Sequence, residues 1–441
     1  MKKFLFLTII LLLTSCQDVD DNKPLLTHSK KKQPVYIVNP NRHLNVAEFW
    51  ISQLHEPDKE IMNQKKIQQF NNQTAYRKGT LNYFKDINRE YGSKWIKEKL
   101  LKNFNGLREK VKYFPDNTKI SAGFFQNIKR EMNLKSLSGK KITTRYALCV
   151  NYSDQKIIPT QESLLKKKNQ IYFDRNQNSA LDIATPIAIL HSTADNAWHY
   201  GIGPTSSGWV RNSDIAFGKR DDILNYINSK NFVVTTSAKT PLLFQGSYHD
   251  YFRMGVKLPY LLSVDNDMVV MVPTRNSQGE LVFKNGTVKT NNVHIGYLPY
   301  TPRNILTQAF KFLHLPYGWG GMFGEQDCSK FIQETYATTG IRLPRNSASQ
   351  GNVGEAKINL ELFTKEARHK ELQKWGIVGG TILHLKGHIT LYIGEYKGEP
   401  FIIHTVWGSS SKHFALGRTA VTSLNFNGYL GKIDKITNII Q

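Results

Sequence analysis

Cys328, His388 and His404 have the types and spacing that nucleophilic acyl transfer needs. Cys328 follows a glycine-rich run in "PYGWGGMFGEQDCSKF". After Asp327, the residues Cys328, Phe331, Ile332 and Thr335 recur at i, i+3, i+4 and i+7, the period of a helix, and Gly340 is a natural stop. Asp327 suits the N-cap, which puts Cys328 in the first turn. There the helix dipole favours a thiolate and lowers the thiol pKa, as a nucleophile requires. The same local pattern fits a cysteine packed on the apolar face of the helix equally well.

A nucleophilic cysteine needs a base. "GHITLYIG" alternates His388, Thr390 and Tyr392 with Ile389, Leu391 and Ile393, the period of a strand, and "PFIIHTVWG" does the same around His404. A strand histidine facing a helix start can take the thiol proton and return it to a leaving amine. A second histidine on the neighbouring strand can hold the first in the right tautomer. The two are 16 residues apart, enough for adjacent antiparallel strands joined through "EYKGE". The chain has 13 histidines, and a single one is more often structural, so position carries the argument. The same three residues are also zinc-ligand types, but no close pair such as HExxH accompanies them, and no metal is expected.

These residues need a scaffold. A chain of 441 residues with 40% hydrophobic content has room for two to four domains. An α+β architecture is expected, with the reactive set in residues 301–441. Thr301-Pro302 opens a helix there, with Ile305, Leu306, Phe310 and Leu313 on one face. Residues 34–140 read as a helical domain, in which Trp95, Ile96, Leu100, Phe104, Leu107 and Val111 form a core stripe. From 141 to 300, short alternating segments lie between turn signals. Two stretches, each opening on Thr-Pro (185 and 240), close on Gly208-Trp209-Val210 and Gly296-Tyr297-Leu298. This predicts two tandem small barrels, 141–220 and 221–300. Trp198, Tyr200 and Trp209 fit a barrel core better than a binding groove.

The first residues, "MKKFLFLTIILLLTSC", join a basic start to an apolar run too short for a comfortable membrane span, which reads as a secretory signal over residues 1–16. Leu13-Thr14-Ser15-Cys16 resembles a bacterial lipobox, which implies lipidation at Cys16, an anchor in a bacterial membrane and export to the envelope. An ordinary signal peptide with an incidental cysteine is the other reading. Residues 17–33 read as a flexible tether. Two cysteines remain, Cys149 and Cys328. Their number excludes a framework of several disulfides but allows a single Cys149–Cys328 bridge, and Cys149 reads better as a buried strand residue. The formal charge is +24, with 59 Lys and Arg against 35 Asp and Glu. It is spread along the chain without an Arg-rich arm, which argues against nucleic acid and suits an anionic wall polymer or membrane face.

Residues 301–435 resemble the NlpC/P60 family of papain-like cysteine peptidases. The resemblance is carried by Tyr317-Gly318-Trp319-Gly320-Gly321, Asp327-Cys328-Ser329, Gly387-His388-Ile389 and Ile403-His404. It implies a papain-like catalytic domain with Cys328 as nucleophile, His388 as base, His404 as orienting residue, Tyr317 at the oxyanion site or against substrate, and no cofactor. The whole chain is similar to a multidomain subgroup with a helical N-terminal domain and two bacterial SH3 domains. "KIIPTQESLL" (156–165) resembles that subgroup's Pro-Thr segment, and the first barrel usually helps close the pocket. In that subgroup the Asp-Cys-Ser triplet also binds the free amine of an N-terminal L-Ala. Carried over, this assigns Asp327 and Ser329 to substrate and implies cleavage of the γ-D-Glu–diaminopimelate bond in peptidoglycan or muropeptides. An amidase or acyltransferase of the same superfamily is one rival. A non-catalytic, lipid-anchored wall-binding protein is the other, against which the intact Cys-His-His set speaks. Two features depart from the family pattern. Lys330 stands where many relatives carry a small residue and is expected beside the site, altering substrate access. The charged segment 351–375 is expected to be a solvated helix.

Overall fold

The N-terminal helix Ser93–Arg108 buries Ile96, Leu100, Phe104 and Leu107 along one face, and Val111 just beyond it is buried as well. Trp95 departs from the expected stripe. It neighbours Ile96 but sits about 100° round the helix, and it is 43% exposed. The structure, a computed structural model, describes residues 42–139, 141–408 and 415–441. All of these lie in one compact unit, Val38–Gln441. The signal segment 1–16 with Cys16, and the tether 17–33, lie outside the described residues. Among the described residues, no helix is long and apolar enough to cross a membrane.

The N-terminal segment divides its apolar residues between two cores. Phe104, Phe125, Ile128 and Met132 share a core with Leu148, Tyr200, Trp209, Leu242, Phe252 and Val270 of the β-rich middle region. Leu44, Trp50, Ile67 and Phe70 share another with Phe312, Cys328, Phe331, Ile389 and Ile403 of the C-terminal region. Each fully buried side chain of this kind is worth about 1.5–3 kcal/mol, so these shared cores bind the three regions together.

The middle region forms two antiparallel sheets of seven strands each. The first runs in the order 177–181, 153–156, 207–211, 198–202, 186–192, 145–149, 215–217. The second runs 247–253, 239–244, 281–289, 267–275, 257–264, 232–235, 293–295. The expected closed barrels are not formed, because the end strands of each sheet do not pair with one another. In the first sheet both edges are engaged elsewhere. Strand Gln177–Leu181 is covered by the glycine-rich turn of the C-terminal region, where Tyr152 donates to the Gly321 carbonyl at 2.6 Å. At the other edge, Phe217 bridges to Glu280, the residue before strand Leu281–Lys289 of the second sheet. Tyr200 and Trp209 are fully buried in the core, with Trp198 packed against it. Cys149 is a buried free thiol in strand Arg145–Cys149.

The C-terminal region packs helices on a six-stranded antiparallel sheet, ordered 357–359, 433–438, 381–385, 388–396, 399–408, 415–423. Ile389, Leu391 and Ile393 face the core that holds Cys328, while Tyr392 packs in a separate core with Leu383 and Ile402. The sheet is therefore covered on both faces. Segment 351–375 is a strand, Lys357–Asn359, then a helix, Lys365–Trp375, that buries Arg368 and Leu372, half-buries Ala367, His369 and Glu371, and exposes the rest.

Candidate active site

Helix Cys328–Ala337 starts at the cysteine, and Asp327 caps it by accepting the Lys330 amide at 2.8 Å. Phe331, Ile332 and Thr335 are fully buried, so the apolar stripe sits as its spacing predicts. Gly320 and Gly321, in the turn before the helix, have φ of 63° and 91°. A Cβ on Gly321 would lie 2.8 Å from Ala180 and 2.9 Å from the Tyr152 hydroxyl. Glycine is required there by both the backbone conformation and the close docking on the first sheet.

The two histidines come from neighbouring strands, His388–Tyr396 and Glu399–Gly408. The strands turn over at Lys397 and Gly398, both with positive φ, the geometry of a two-residue hairpin. Leu391 stands opposite Ile403, which by parity puts His388 and His404 on the same face. Their rings meet: His388 Nε2 lies 2.8 Å from His404 Nδ1, and His404 Nε2 lies 3.1 Å from Thr422 Oγ1. One tautomer set fits a base at His388. Its Nε2–H donates to His404 Nδ1, and the His404 Nε2–H donates to Thr422, leaving His388 Nδ1 as the free acceptor. Tyr429 packs against both rings, at 5.6 and 5.7 Å between centroids. Cys328 and Ile389 share one core, which sets the cysteine against the start of the His388 strand.

The electrostatics differ from the sequence-based expectation. Burial pushes the Cys328 thiol up to about 12, and the negative charge of Asp327 adds to this. The Ile389 amide, Arg345 and the helix-start amide of Ser329 pull the other way and do not offset it. Burial lowers His388 to about 4, with His384 adding to the shift and Asp327 opposing it. Burial, then His388, holds His404 well below the usual histidine value. Both shifts favour the neutral forms, the thiol at Cys328 and the imidazole at His388. Burial, followed by Cys328 and Asp327, raises the phenol of Tyr317, which favours its neutral hydroxyl form.

Asp327 and Ser329 are held by a residue that the sequence reading missed. Arg345 donates to Asp327 Oδ2 at 2.7 Å, to Asp327 Oδ1 at 3.1 Å and to Ser329 Oγ at 2.9 Å. Its Nε reaches Ser179 Oγ of the first sheet at 2.9 Å. Burial alone would raise the Asp327 carboxyl, but Arg345 and the hydrogen bonds from Lys330 and Ser329 hold it below its usual value. Nothing in "RLPRNS" marks Arg345, because its partner lies 18 residues earlier and meets it only in the fold. Lys330, expected to alter substrate access, instead turns inward. It is 8% exposed, with Nζ 2.9 Å from Asp182 and 3.6 Å from Glu334. Glu334 is in turn paired with Arg253 of the second sheet, at 2.7 Å. No group of three or more His, Cys, Asp or Glu among the described residues is arranged to hold a metal ion. Cys149 and Cys328 are both free thiols.

Residues 314–413 match the model of the NlpC/P60 family, and residues 162–211 match that of an SH3 domain of SH3b1 type. An NlpC/P60 endopeptidase from Photobacterium damselae subsp. piscicida has the same fold, with TM-score 0.70 and 23% identity over 86% of this chain and 90% of that one. An NlpC/P60 family protein from Bacillus cereus ATCC 10987 aligns at TM-score 0.45 and 17% identity, over 60% of this chain and 83% of that one. No curated protein matches the chain. The segment that matches the NlpC/P60 family, a family of cysteine peptidases, thus holds Cys328, His388 and His404, and a separate segment matches an SH3b domain.

Proposed function

We propose that this chain is an exported, lipid-anchored murein endopeptidase that hydrolyses the γ-D-Glu–diaminopimelate amide. One observation carries the reading: the His388–His404–Thr422 hydrogen-bond chain beside a cysteine at a helix start. In the proposed reaction His388 Nδ1 takes the thiol proton as Cys328 Sγ attacks the amide carbonyl, so the buried thiol need not ionise beforehand. The Cys328 amide and the neutral Tyr317 hydroxyl stabilise the oxyanion. His388 then gives its proton to the leaving amine, and water, deprotonated by His388, hydrolyses the thioester. His404 holds the His388 ring and is a positioning residue. The second seven-stranded sheet serves as a second SH3-like module, and peptidoglycan or released muropeptides are the substrate.

The family resemblance also gives Asp327 and Ser329 to the amine of a free N-terminal L-Ala. In this chain an ammonium group would share Asp327 with Arg345, so that preference needs its own comparison, free against N-acetylated peptide. The reaction itself is tested with L-Ala-γ-D-Glu-diaminopimelate, incubated with wild type and with Cys328→Ala and followed by mass spectrometry. Release of L-Ala-γ-D-Glu by wild type alone is expected. No cleavage of this peptide or of its N-acetylmuramoyl form would favour a wall-binding protein without peptidase activity.

A further inference from the structure

Two buried N–H donors beside the site lack an acceptor, Arg175 Nε and Trp319 Nε1. They belong to one cluster. The Arg175 guanidinium lies 4.8 Å from the Trp319 ring centroid and 5.9 Å from that of Phe173. Phe173 packs 5.3 Å from Trp319 and 6.5 Å from Tyr317. Both Phe173 and Tyr317 reach Trp407, at 5.5 and 5.9 Å, on the strand that carries His404. Trp319 begins the glycine-rich turn that leads into Cys328. Arg175 therefore projects from the SH3b-type region into the wall of the active site.

Arg175 has aromatic faces for neighbours and no ion-pair partner among the described residues. The carboxylate next to it in sequence, Asp174, is already taken by Lys156 at 3.0 Å and by the amides of Leu164 and Asn176. A cation held only by aromatic rings keeps its edge N–H groups for an anion, and a guanidinium edge matches a carboxylate. Unpartnered buried donors are unfavourable, so an acceptor shared by Arg175 and Trp319 would relieve both.

We propose that Arg175 and Trp319 form a subsite for a substrate carboxylate flanking the scissile amide, an inference that rests on the γ-glutamyl peptide reading above. That linkage leaves the α-carboxylate of D-Glu free, and diaminopimelate brings further carboxylates. The subsite makes the enzyme select free-acid peptides over amidated ones.

The test measures binding by calorimetry on full-length Cys328→Ala. The ligands are L-Ala-γ-D-Glu-diaminopimelate, the same peptide amidated at the D-Glu α-carboxylate, and the same peptide amidated on diaminopimelate. One amide should bind about 10- to 100-fold more weakly than the acid, and which one it is identifies the carboxylate. In the Arg175→Gln background the acid should fall to the affinity of that amide. Trp319→Phe keeps the ring and removes one donor. It should weaken the acid about 3- to 10-fold and leave that amide unchanged. The proposal is overturned if both amides bind like the acid, or if Arg175→Gln weakens acid and amides alike, as loss of a structural staple would. Binding is read without turnover. If wild type cleaves none of the peptides while this discrimination persists, the reaction assignment falls and the subsite stands.

Discussion

Arg345→Met removes the cation from Asp327 while keeping a long apolar stem. The two side chains are only 10% and 12% exposed, and the guanidinium makes two of the five hydrogen bonds that Asp327 accepts. Breaking a buried ion pair from one side costs about 3–5 kcal/mol. Asp327 keeps the Gly320 amide at 3.1 Å, the Lys330 amide at 2.8 Å and the Ser329 hydroxyl at 2.9 Å, which puts the expected loss at the low end. Urea unfolding at pH 7 should therefore show a destabilisation of about 3 kcal/mol. The pH dependence gives a second, independent check. In the wild type the Asp327 pKa is lowered on folding, so its contribution to stability is present above the unfolded carboxylate pKa and lost as pH falls through the folded one. In the variant the unpaired buried carboxyl titrates higher, protonates sooner on acidification and sheds its penalty. The difference between the two proteins should shrink from pH 7 toward pH 4. Asp327→Asn combined with Arg345→Met should be less destabilised than the two single losses added together. A loss below about 1 kcal/mol, or one constant across that pH range, would show that Arg345 does not balance a buried Asp327 charge.

Alkylation of Cys328 by iodoacetamide should keep accelerating with pH through the alkaline range, because the thiol is pushed up to about 12 and little thiolate exists at rest. A plateau beginning near pH 5 would instead show a preformed thiolate–imidazolium pair. On the acid side, kcat/KM should fall only as pH drops through about 4, where His388 takes up its proton and ceases to be a base. An acid limb near the ordinary histidine value would contradict the burial argument. His404→Gln should lower kcat about 10²- to 10⁴-fold with little change in KM, as removal of an orienting residue does. Thr422→Val should cost about tenfold in kcat, since it leaves the His404 Nε2–H buried without its acceptor.

The parts of the site that depend on local pattern were legible in the sequence. Period-2 alternation around His388 and His404, with a two-residue turn between their strands, is enough to bring the rings together. An aspartate before an apolar period of 3.6 is enough to start a helix at Cys328. The thiol pKa was not legible, because the helix-start effect is local while the burial that outweighs it is supplied by the packed core. Barrel closure failed for a similar reason. Strand alternation says which residues face inward, but not that the Gly320–Gly321 turn would cover one edge of the first sheet and Glu280 engage the other. Lys330 and Asp182 lie 148 positions apart, and no short-range signal joins them.

Those long-range pairs bear on what the N-terminal regions would do for the proposed reaction. Three links tie helix Cys328–Ala337 and its cap to the two sheets and the residue that follows strand Gln177–Leu181: Arg345 from Asp327 to Ser179, Lys330 to Asp182, and Glu334 to Arg253. A single exposed ion pair would hold little. These are buried, so separating the regions would strand Lys330 and Glu334 on one side and Asp182 and Arg253 on the other, and would take Ser179 from Arg345. The turn that presents Cys328 is fixed in the same way, since Gly320 and Gly321 lie against Gln177 and Ala180 too closely for any side chain to intervene. Catalytic geometry tolerates displacements of well under an ångström. The position of the sulfur relative to His388 therefore depends on the two sheets as well as on the six-stranded sheet that bears the histidines.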